Sequence, residues 1–548
     1  MQQEIQIKNF DHLGLIAGMI DELGIVECID KKIPKKSDDK LLSYGELVKA
    51  MILNGLGYVN KQLYLVPKFF SDKPLNILFK RDVKAEWFND DSLGRTLDAL
   101  YQYGVSKLYQ IIALKAMNVL GLIPKTFHLD STSFHVDGEY KNTHNNSDEN
   151  RACIKITKGY SRDHHPELNQ VVLNLIVEHQ GGIPVWMKPG NGNQSDTKEF
   201  AKILKEHIKS LKKTNDINAK IIADAALFTS NGIKEIKDNN MLFISRVPAT
   251  LKQVKEILQN HNPQEFIKLD ENYQAITYSV EYEGMKQKWV LYKSSYAKSR
   301  KDKTIQKEYQ KKQKQESRLL AKLQKTVYFC ESDAKEAFKE KTSKLESLTI
   351  KKKELIVKPK YKTKGRPKAN AVPSHYEYYW KIETIPNEEY LKQKQNQKSG
   401  LFILATNDIT MSAKELLDEY KSQQRVERGF RFLKSPEFLV DSLYLKNPKR
   451  IESLLMIMTL SLMVYSALEY RIRKELTINN ETFPNQLGKP VQNPTARWVF
   501  ANFFAIHLLI MNNTTQIIGL NSLHRQILRL LGRPYQSLYD ISSDKVNI

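Results

Sequence analysis

The chain has 548 residues, 41% of them hydrophobic, and its 85 Lys and Arg against 62 Asp and Glu give a formal charge of +23. That length exceeds what one hydrophobic core sustains and implies several domains or subdomains, while the charge makes a long polyanion the natural partner. Cys28, Cys153 and Cys330 lie far apart with no Cys-x-x-Cys pair, which excludes a disulfide framework or zinc ribbon and fits a reducing cytoplasm.

The N-terminal stretch Met1–Lys8 lacks a cationic segment followed by an apolar one, so no secretory signal is expected. Residues 1–120 read as an all-helical domain, with amphipathic segments starting at Asp11, Tyr44 and Asp90; ahead of a catalytic core it is a candidate for binding DNA ends, with a plain helical scaffold as the alternative. From Thr126 the period changes to strict alternation through Val136, which places His128 and Asp130 on one strand face. Asn169–His179, the Gln180-Gly-Gly turn and Ile183–Lys188 predict a hairpin. Asp196 caps a helix running to about Lys212, and Lys220–Asp224 is a short apolar strand ending in a carboxylate. A helix near Asn231 and a strand at Met241–Arg246 complete the set. Strand, strand, strand, helix, strand, helix, strand is the order of a ribonuclease-H-like α/β core, with Asp130 on its first strand and Asp224 at the end of its fourth.

A basic β/helical insertion is expected over 249–400, inside a core whose two parts span 121–248 and 401–490. Lys298–Lys368 alone holds 24 Lys and Arg against 9 Asp and Glu. Within it, Lys364-Gly-Arg-Pro-Lys sets Arg366 between Gly and Pro, a pattern that suits minor-groove contact. Leu401–Thr406 returns the chain to the core. A single helix is then expected from Ser412 to Lys434, opened by a Ser412/Glu415 capping box. At about 100° per residue, Tyr420, Gln423, Glu427, Arg431 and Lys434 share an arc of roughly 80°, beside an apolar stripe of Val426, Phe430 and Leu433. The apolar run Leu454–Leu468, about fifteen residues long, is short for a bilayer span and reads as a buried helix, so no membrane role is expected. A helical region, 491–548, ends the chain and is the candidate for dimer contact.

Asp130, Asp224 and Glu427 have one common reading. Two carboxylates on neighbouring strands and a third brought by a helix repel one another unless cations lie between them. Mg²⁺ prefers such all-oxygen ligands, and Mn²⁺ can take its place. Two ions about 4 Å apart activate a water or a 3′-hydroxyl and stabilise the leaving oxygen of a phosphodiester. His128, His135, His144, His164 and His165 crowd near the first Asp but match no zinc spacing.

Taken together, Tyr420, Glu427 and Lys434 at the spacing Tyr-x2-Arg-x3-Glu-x6-Lys, Val426-Glu-Arg-Gly-Phe-Arg-Phe-Leu-Lys, Leu129-Asp-Ser-Thr-Ser-Phe and Ile222-Ala-Asp-Ala resemble the DDE transposases of bacterial insertion sequences. The resemblance runs through most of the chain. It implies a cytoplasmic, nucleoid-associated enzyme that binds terminal inverted repeats, cleaves DNA with two Mg²⁺ held by Asp130, Asp224 and Glu427, and transfers the ends to target DNA. It further implies phosphate contacts from Tyr420, Gln423, Arg431 and Lys434, an insertion aromatic stacked on a flipped base (Trp289 or Trp380), and a homodimer on paired ends. One position departs from the family: its arginine is Gln423 here, with Arg431 on the same face as a possible replacement. The alternatives are a decayed or repurposed DNA-binding copy and a nuclease of the same fold without strand transfer.

Overall fold

The computed structural model describes residues 5–35, 41–58, 62–123, 125–136, 140, 153–161, 165–211, 220–362, 372–396, 400–435, 445–511 and 514–540. It divides into two compact units, one of residues 1–246, 281–287 and 406–548, the other of 247–280 and 288–405.

The first unit opens with a short strand, β1 (Ile5–Asn9), and then turns helical in α1 (Leu13–Glu22), α2 (Tyr44–Leu56), α3 (Asp90–Tyr103) and α4 (Val105–Leu120). Local chemistry fixes the starts: Ser43 and Glu46 close a capping box on α2, and the Asn89 side chain accepts the Ser92 amide at α3. Its sheet follows, formed by β2 (Thr126–Val136), β3 (Asn169–Glu178), β4 (Pro184–Gly190), β5 (Lys220–Ala223) and β6 (Leu242–Arg246) in the spatial order β4-β3-β2-β5-β6. The β2–β3 and β3–β4 pairs are antiparallel, whereas β2–β5 and β5–β6 are parallel. Between strands run α5 (Asp196–Leu211) and α6 (Ser230–Asp238). The parallel strands read Ile-Ile-Ala and Phe-Ile-Ser because both faces are covered.

In the second unit, β7 (Tyr273–Tyr282) and β8 (Met285–Ser294), apart from their tip at 281–287, lead into α7 (Ser295–Lys325), a helix of 31 residues, and α8 (Glu331–Thr342). A two-stranded ribbon, β9 (Leu348–Lys360) with β10 (His375–Pro386), packs on them, and β11 (Leu401–Thr406) ends the unit. Leu320, Leu323, Phe338, Leu348, Trp380 and Ile382 form its core. The buried Glu316 carboxylate ties α7 to the start of β9, accepting the backbone N–H of Glu346, Ser347 and Leu348 and the Ser347 hydroxyl at 2.7 Å. Tyr309, Glu316, Leu320 and Leu323 are the buried side of α7. On the opposite side, Arg300, Lys303, Lys307, Lys311, Lys314, Arg318, Lys322 and Lys325 are all exposed, within an arc of roughly 100° that holds no carboxylate. On the ribbon, by contrast, Lys352 faces Glu383, Glu354 faces Lys381 and Lys358 faces Glu377, so much of its charge cancels across the strands.

The first unit resumes with α9 (Ala413–Lys421), α10 (Gln424–Leu433) and α11 (Pro448–Ile478). Helix α11 is long and apolar enough to cross a membrane, but 89% of its most apolar window is buried inside the fold. It is the hub of the unit, packing against α1 to α4, β4 and α10. Arg450 binds Asp98 with two nitrogens at 2.9 and 2.7 Å, the Ser453 hydroxyl donates to the Leu97 carbonyl, and Arg471 pairs with Glu22 at 2.6 Å. Two expectations need correction. The C-terminal region is not wholly helical: β12 (His507–Met511) and β13 (Thr514–Ile518) form a hairpin before α12 (Ser522–Leu531) and α13 (Arg533–Tyr539). The N-terminal region is not all helical, because β1 pairs antiparallel with β12. Both segments are short, and β1 finds its strand partner only at the other end of the chain, on the strand that also pairs with β13. Gly14 and Gly18 on α1 let α13 close in; a Cβ there would stand 2.6 Å from the Tyr539 ring and 2.7 Å from that of Tyr535.

Buried His12 stacks on Phe500 at 4.7 Å and donates from Nε2 to the Leu56 carbonyl at 2.8 Å. Burial holds its pKa down at about 4, against an ordinary 6.5. Between those values the unfolded chain binds a proton that the folded one refuses. His12 therefore adds a stability that is complete above pH 6.5 and is lost as the pH falls toward 4. The thermal midpoint of His12→Gln should depend less steeply on pH than the wild type's over that window; parallel curves would contradict the assignment.

Candidate active site

The parallel register brings the site residues to one level. Leu129 pairs with Ala223, and Ala223 with Ser245. One step further along all three strands stand Asp130, Asp224 and Arg246. Side chains at equal level on parallel neighbours leave the same face, about 4.8 Å apart per strand. The floor beneath, Leu129, Ala223 and Ser245, is buried, while Asp130 and Asp224 are half-buried and Arg246 is exposed. Backbone amides hold both aspartates: the N–H of Ser131 donates to Asp130 Oδ1 at 2.8 Å and that of Ala226 to Asp224 Oδ1 at 2.9 Å. The Ser245 hydroxyl lies 2.8 Å from the Asp224 carbonyl and 3.2 Å from that of Arg246, stapling the ends of β5 and β6.

The helix expected from Ser412 to Lys434 is two helices. The Ser412/Glu415 capping box starts α9, and Lys220 on β5 anchors it through Asp408 at 3.4 Å and Glu419 at 3.3 Å. At Ser422 and Gln423 the backbone stays in the α region, but the Gln423 and Val426 amides bond three residues back instead of four. The Ser422 hydroxyl donates to the Glu419 carbonyl at 2.5 Å and reaches His179 Nδ1 at 3.2 Å. That side-chain bond competes with the helix ladder and tightens the turn. His179, whose Nδ1 is 3.0 Å from His128 Nε2, packs against this turn, and no sequence motif marks it. From the break, α10 packs on β2 and α11 with Val426, Phe430 and Leu433 buried and Phe432 against Tyr465 at 4.1 Å. The exposed side carries Glu427 and Arg431. The Lys434 ammonium lies 6.0 Å from the ring of Phe134, which leaves the same face of β2 as Asp130. Gln423 is buried at the junction, 8% exposed.

Tyr420, in the last turn of α9, registers the whole cluster. Burial pushes its phenol up to about 12; Arg246 pulls it down, and the carboxylates of Asp224, Glu427 and Asp130 push it up again. All three expected carboxylates thus act on one hydroxyl. Among the described residues no group of three or more His, Cys, Asp or Glu stands close enough to hold an ion. Carboxylates brought near one another repel, and an oxygen-only donor set suits a hard divalent cation such as Mg²⁺. The chemistry of the donor set fits such an ion, although the three side chains are not gathered closely enough to hold one here.

Other expectations fare differently. Trp289 is fully buried, and Trp380 is packed on Phe338 at 4.3 Å with its indole N–H donating to the Ala334 carbonyl at 2.7 Å. Each indole is a core side chain here, with no face open for a flipped base. Trp380→Ala should cost about 3–5 kcal/mol in thermal unfolding; a stacking role would instead weaken DNA binding at unchanged stability. His135 lies against His165, edge to face at 5.5 Å, and Arg366, His144 and His164 fall outside the described residues.

A family described as "Transposase DDE domain" matches residues 123–464, and one described as "Domain of unknown function (DUF4277)" matches residues 5–114. No curated protein matches the chain. Among solved structures, the cryo-EM structure of the piggyBac transposase synaptic complex with hairpin DNA is similar, at 10% identity and a TM-score of 0.37, over 98% of this chain and 85% of that one.

Proposed function

The chain belongs to the Transposase DDE domain family, and on that footing we propose that it binds the terminal inverted repeats of its own insertion sequence, cuts the element's ends and joins them to target DNA. The observation that carries this reading is the level placement of Asp130 and Asp224 on adjacent parallel strands, with Glu427 acting on the same phenol. The strand order, three antiparallel strands extended by two parallel ones, supports a ribonuclease-H-like core, and the second unit is then the insertion that interrupts it.

Asp130, Asp224 and Glu427 would hold two Mg²⁺, which supply a Lewis acid and an activated oxygen nucleophile when bound. The chain's own part is to fix the carboxylates and grip the DNA. The Asp130 and Asp224 side chains are pre-set by backbone N–H donors. Tyr420, neutral throughout the physiological range because its pKa is about 12, offers an O–H donor to a phosphate oxygen, and Gln423, Arg431 and Lys434 contribute further contacts along the same helices. The exposed cations of α7 bind duplex backbone. The protein would act as a homodimer on paired ends, in the cytoplasm at the bacterial nucleoid, and Arg366 would enter a minor groove.

Joining is the discriminating test. A labelled end duplex incubated with a second plasmid and Mg²⁺ should give products whose 3′ ends are joined to the plasmid. Nicked ends that never join would leave a nuclease, and end binding without nicking would leave the DNA-binding relic that Gln423 allows.

A further inference from the structure

A run of aromatic rings joins the N-terminal helices to α10. Phe432 meets Tyr465 of α11 at 4.1 Å, and Tyr465 stands edge-on at 6.0 Å to Phe500, in the short helix Ala496–Asn502. Phe500 stacks on His12 at 4.7 Å, and Tyr58, just past the end of α2, packs on His12 at 5.0 Å and on Phe500 at 6.3 Å. We propose that this column braces the glutamate helix: His12, Tyr58, Phe500 and Tyr465 seat Phe432, and the seat sets the position of Glu427; this rests on the transposase reading above. The five are positioning residues, and through them the N-terminal region takes part in the chemistry.

Three observations carry the brace. The first is geometric. At about 100° per residue, Glu427 and Phe432 stand on opposite flanks of the Val426, Phe430 and Leu433 stripe, roughly 90° and 130° from its middle. Rolling α10 on that stripe lifts one flank as it lowers the other, so a fixed Phe432 fixes Glu427. A roll of about 10° would swing a carboxylate about 6 Å from the helix axis by about 1 Å, and misplacement of that size costs about 10²-fold in rate. Second, the seat has almost no slack. The void bounded by Tyr58, Phe432, Tyr465 and Phe500 measures about 10 Å³, at the lower limit for one water. The rings around it are tied to backbone, since the Arg497 N–H donates to the Tyr465 oxygen at 3.1 Å and the Tyr58 hydroxyl to the Arg497 carbonyl at 3.3 Å. Third, the backbone is strained to place the rings. Tyr58 has a φ of 55° and Asp11, next to His12, a φ of 46°. A bulky side chain is rarely held in that region, and where it is the surroundings impose it.

The test uses full-length protein, a labelled duplex carrying the element's end, and Mg²⁺. Phe432→Ala should slow cleavage about 10- to 100-fold with end affinity within a few-fold, and should weaken Mn²⁺ binding to the free protein, read by calorimetry. Phe432→Leu should fall between. Tyr58→Gly removes the ring and relaxes the backbone together, so it should slow cleavage about 3- to 10-fold with little change in thermal midpoint, a split that a purely structural role would not produce. Phe88→Leu, a core change beside Phe70 and Phe79, should lower the midpoint yet leave cleavage unchanged well below it. Wild-type cleavage and Mn²⁺ affinity in Phe432→Ala would overturn the proposal, as would cleavage that merely follows the midpoint across all these variants. If wild-type protein itself fails to cleave, the transposase reading fails instead, and Mn²⁺ affinity still decides whether Phe432 sets Glu427.

Discussion

Asp224→Asn is expected to lower end cleavage by at least about 10³-fold while end affinity at moderate salt stays within a few-fold. The side chain keeps its shape and its acceptor for the Ala226 amide, 2.9 Å away, so the local fold is preserved. What is lost is one negative charge in the trio with Asp130 and Glu427. The same substitution should raise the thermal midpoint slightly in the absence of divalent ions, because it relieves repulsion among the carboxylates. Cleavage within tenfold of wild type would remove Asp224 from the chemistry, whatever its position.

The second large effect concerns α7. Its exposed cationic face runs from Arg300 to Lys325, about 38 Å at 1.5 Å per residue, comparable to a turn of duplex. Replacing Lys307, Lys311, Lys314 and Arg318 together with Gln should flatten the salt dependence of DNA binding by about 3–4 in log–log slope. It should also weaken binding at low salt by two or more orders of magnitude. The fold should tolerate this, since the helix is held from its other side by Tyr309, Glu316, Leu320 and Leu323. Replacing Lys352 and Lys358 on the ribbon should change the slope much less, because Glu383 and Glu377 already face them. A slope insensitive to the α7 set would take this helix out of the interface.

Much of the site is legible in the residue pattern. Alternation from Thr126 to Val136 places Asp130 on a strand face, and the apolar run ending at Asp224 needs no tertiary information. The capping box marks the start of the glutamate region because its two bonds are local. Beyond local range the signal fades. Arg246 ends an ordinary strand, and only the register of three parallel strands sets it beside the aspartates. The break at Ser422 leaves the 3.6-residue period of the apolar positions intact, and the hydroxyl that causes it reaches His179, 243 residues away in sequence. Trp289 and Trp380 could not be placed from composition, since an indole in a β-rich segment serves equally as core or as an open face. The hairpin at 507–518 is a short apolar run of the kind that periodicity cannot assign, and its partner strand is the first of the chain.

The most direct test of the central claim is cleavage of a duplex carrying the element's boundary, with wild-type protein in Mg²⁺, in Mn²⁺ and in chelator. The carboxylate trio predicts nicking at the boundary that leaves a free 3′-hydroxyl, requires either ion and stops in chelator. Cleavage that persists in chelator, or binding without nicking in both ions, would contradict a metal-dependent centre built on Asp130, Asp224 and Glu427.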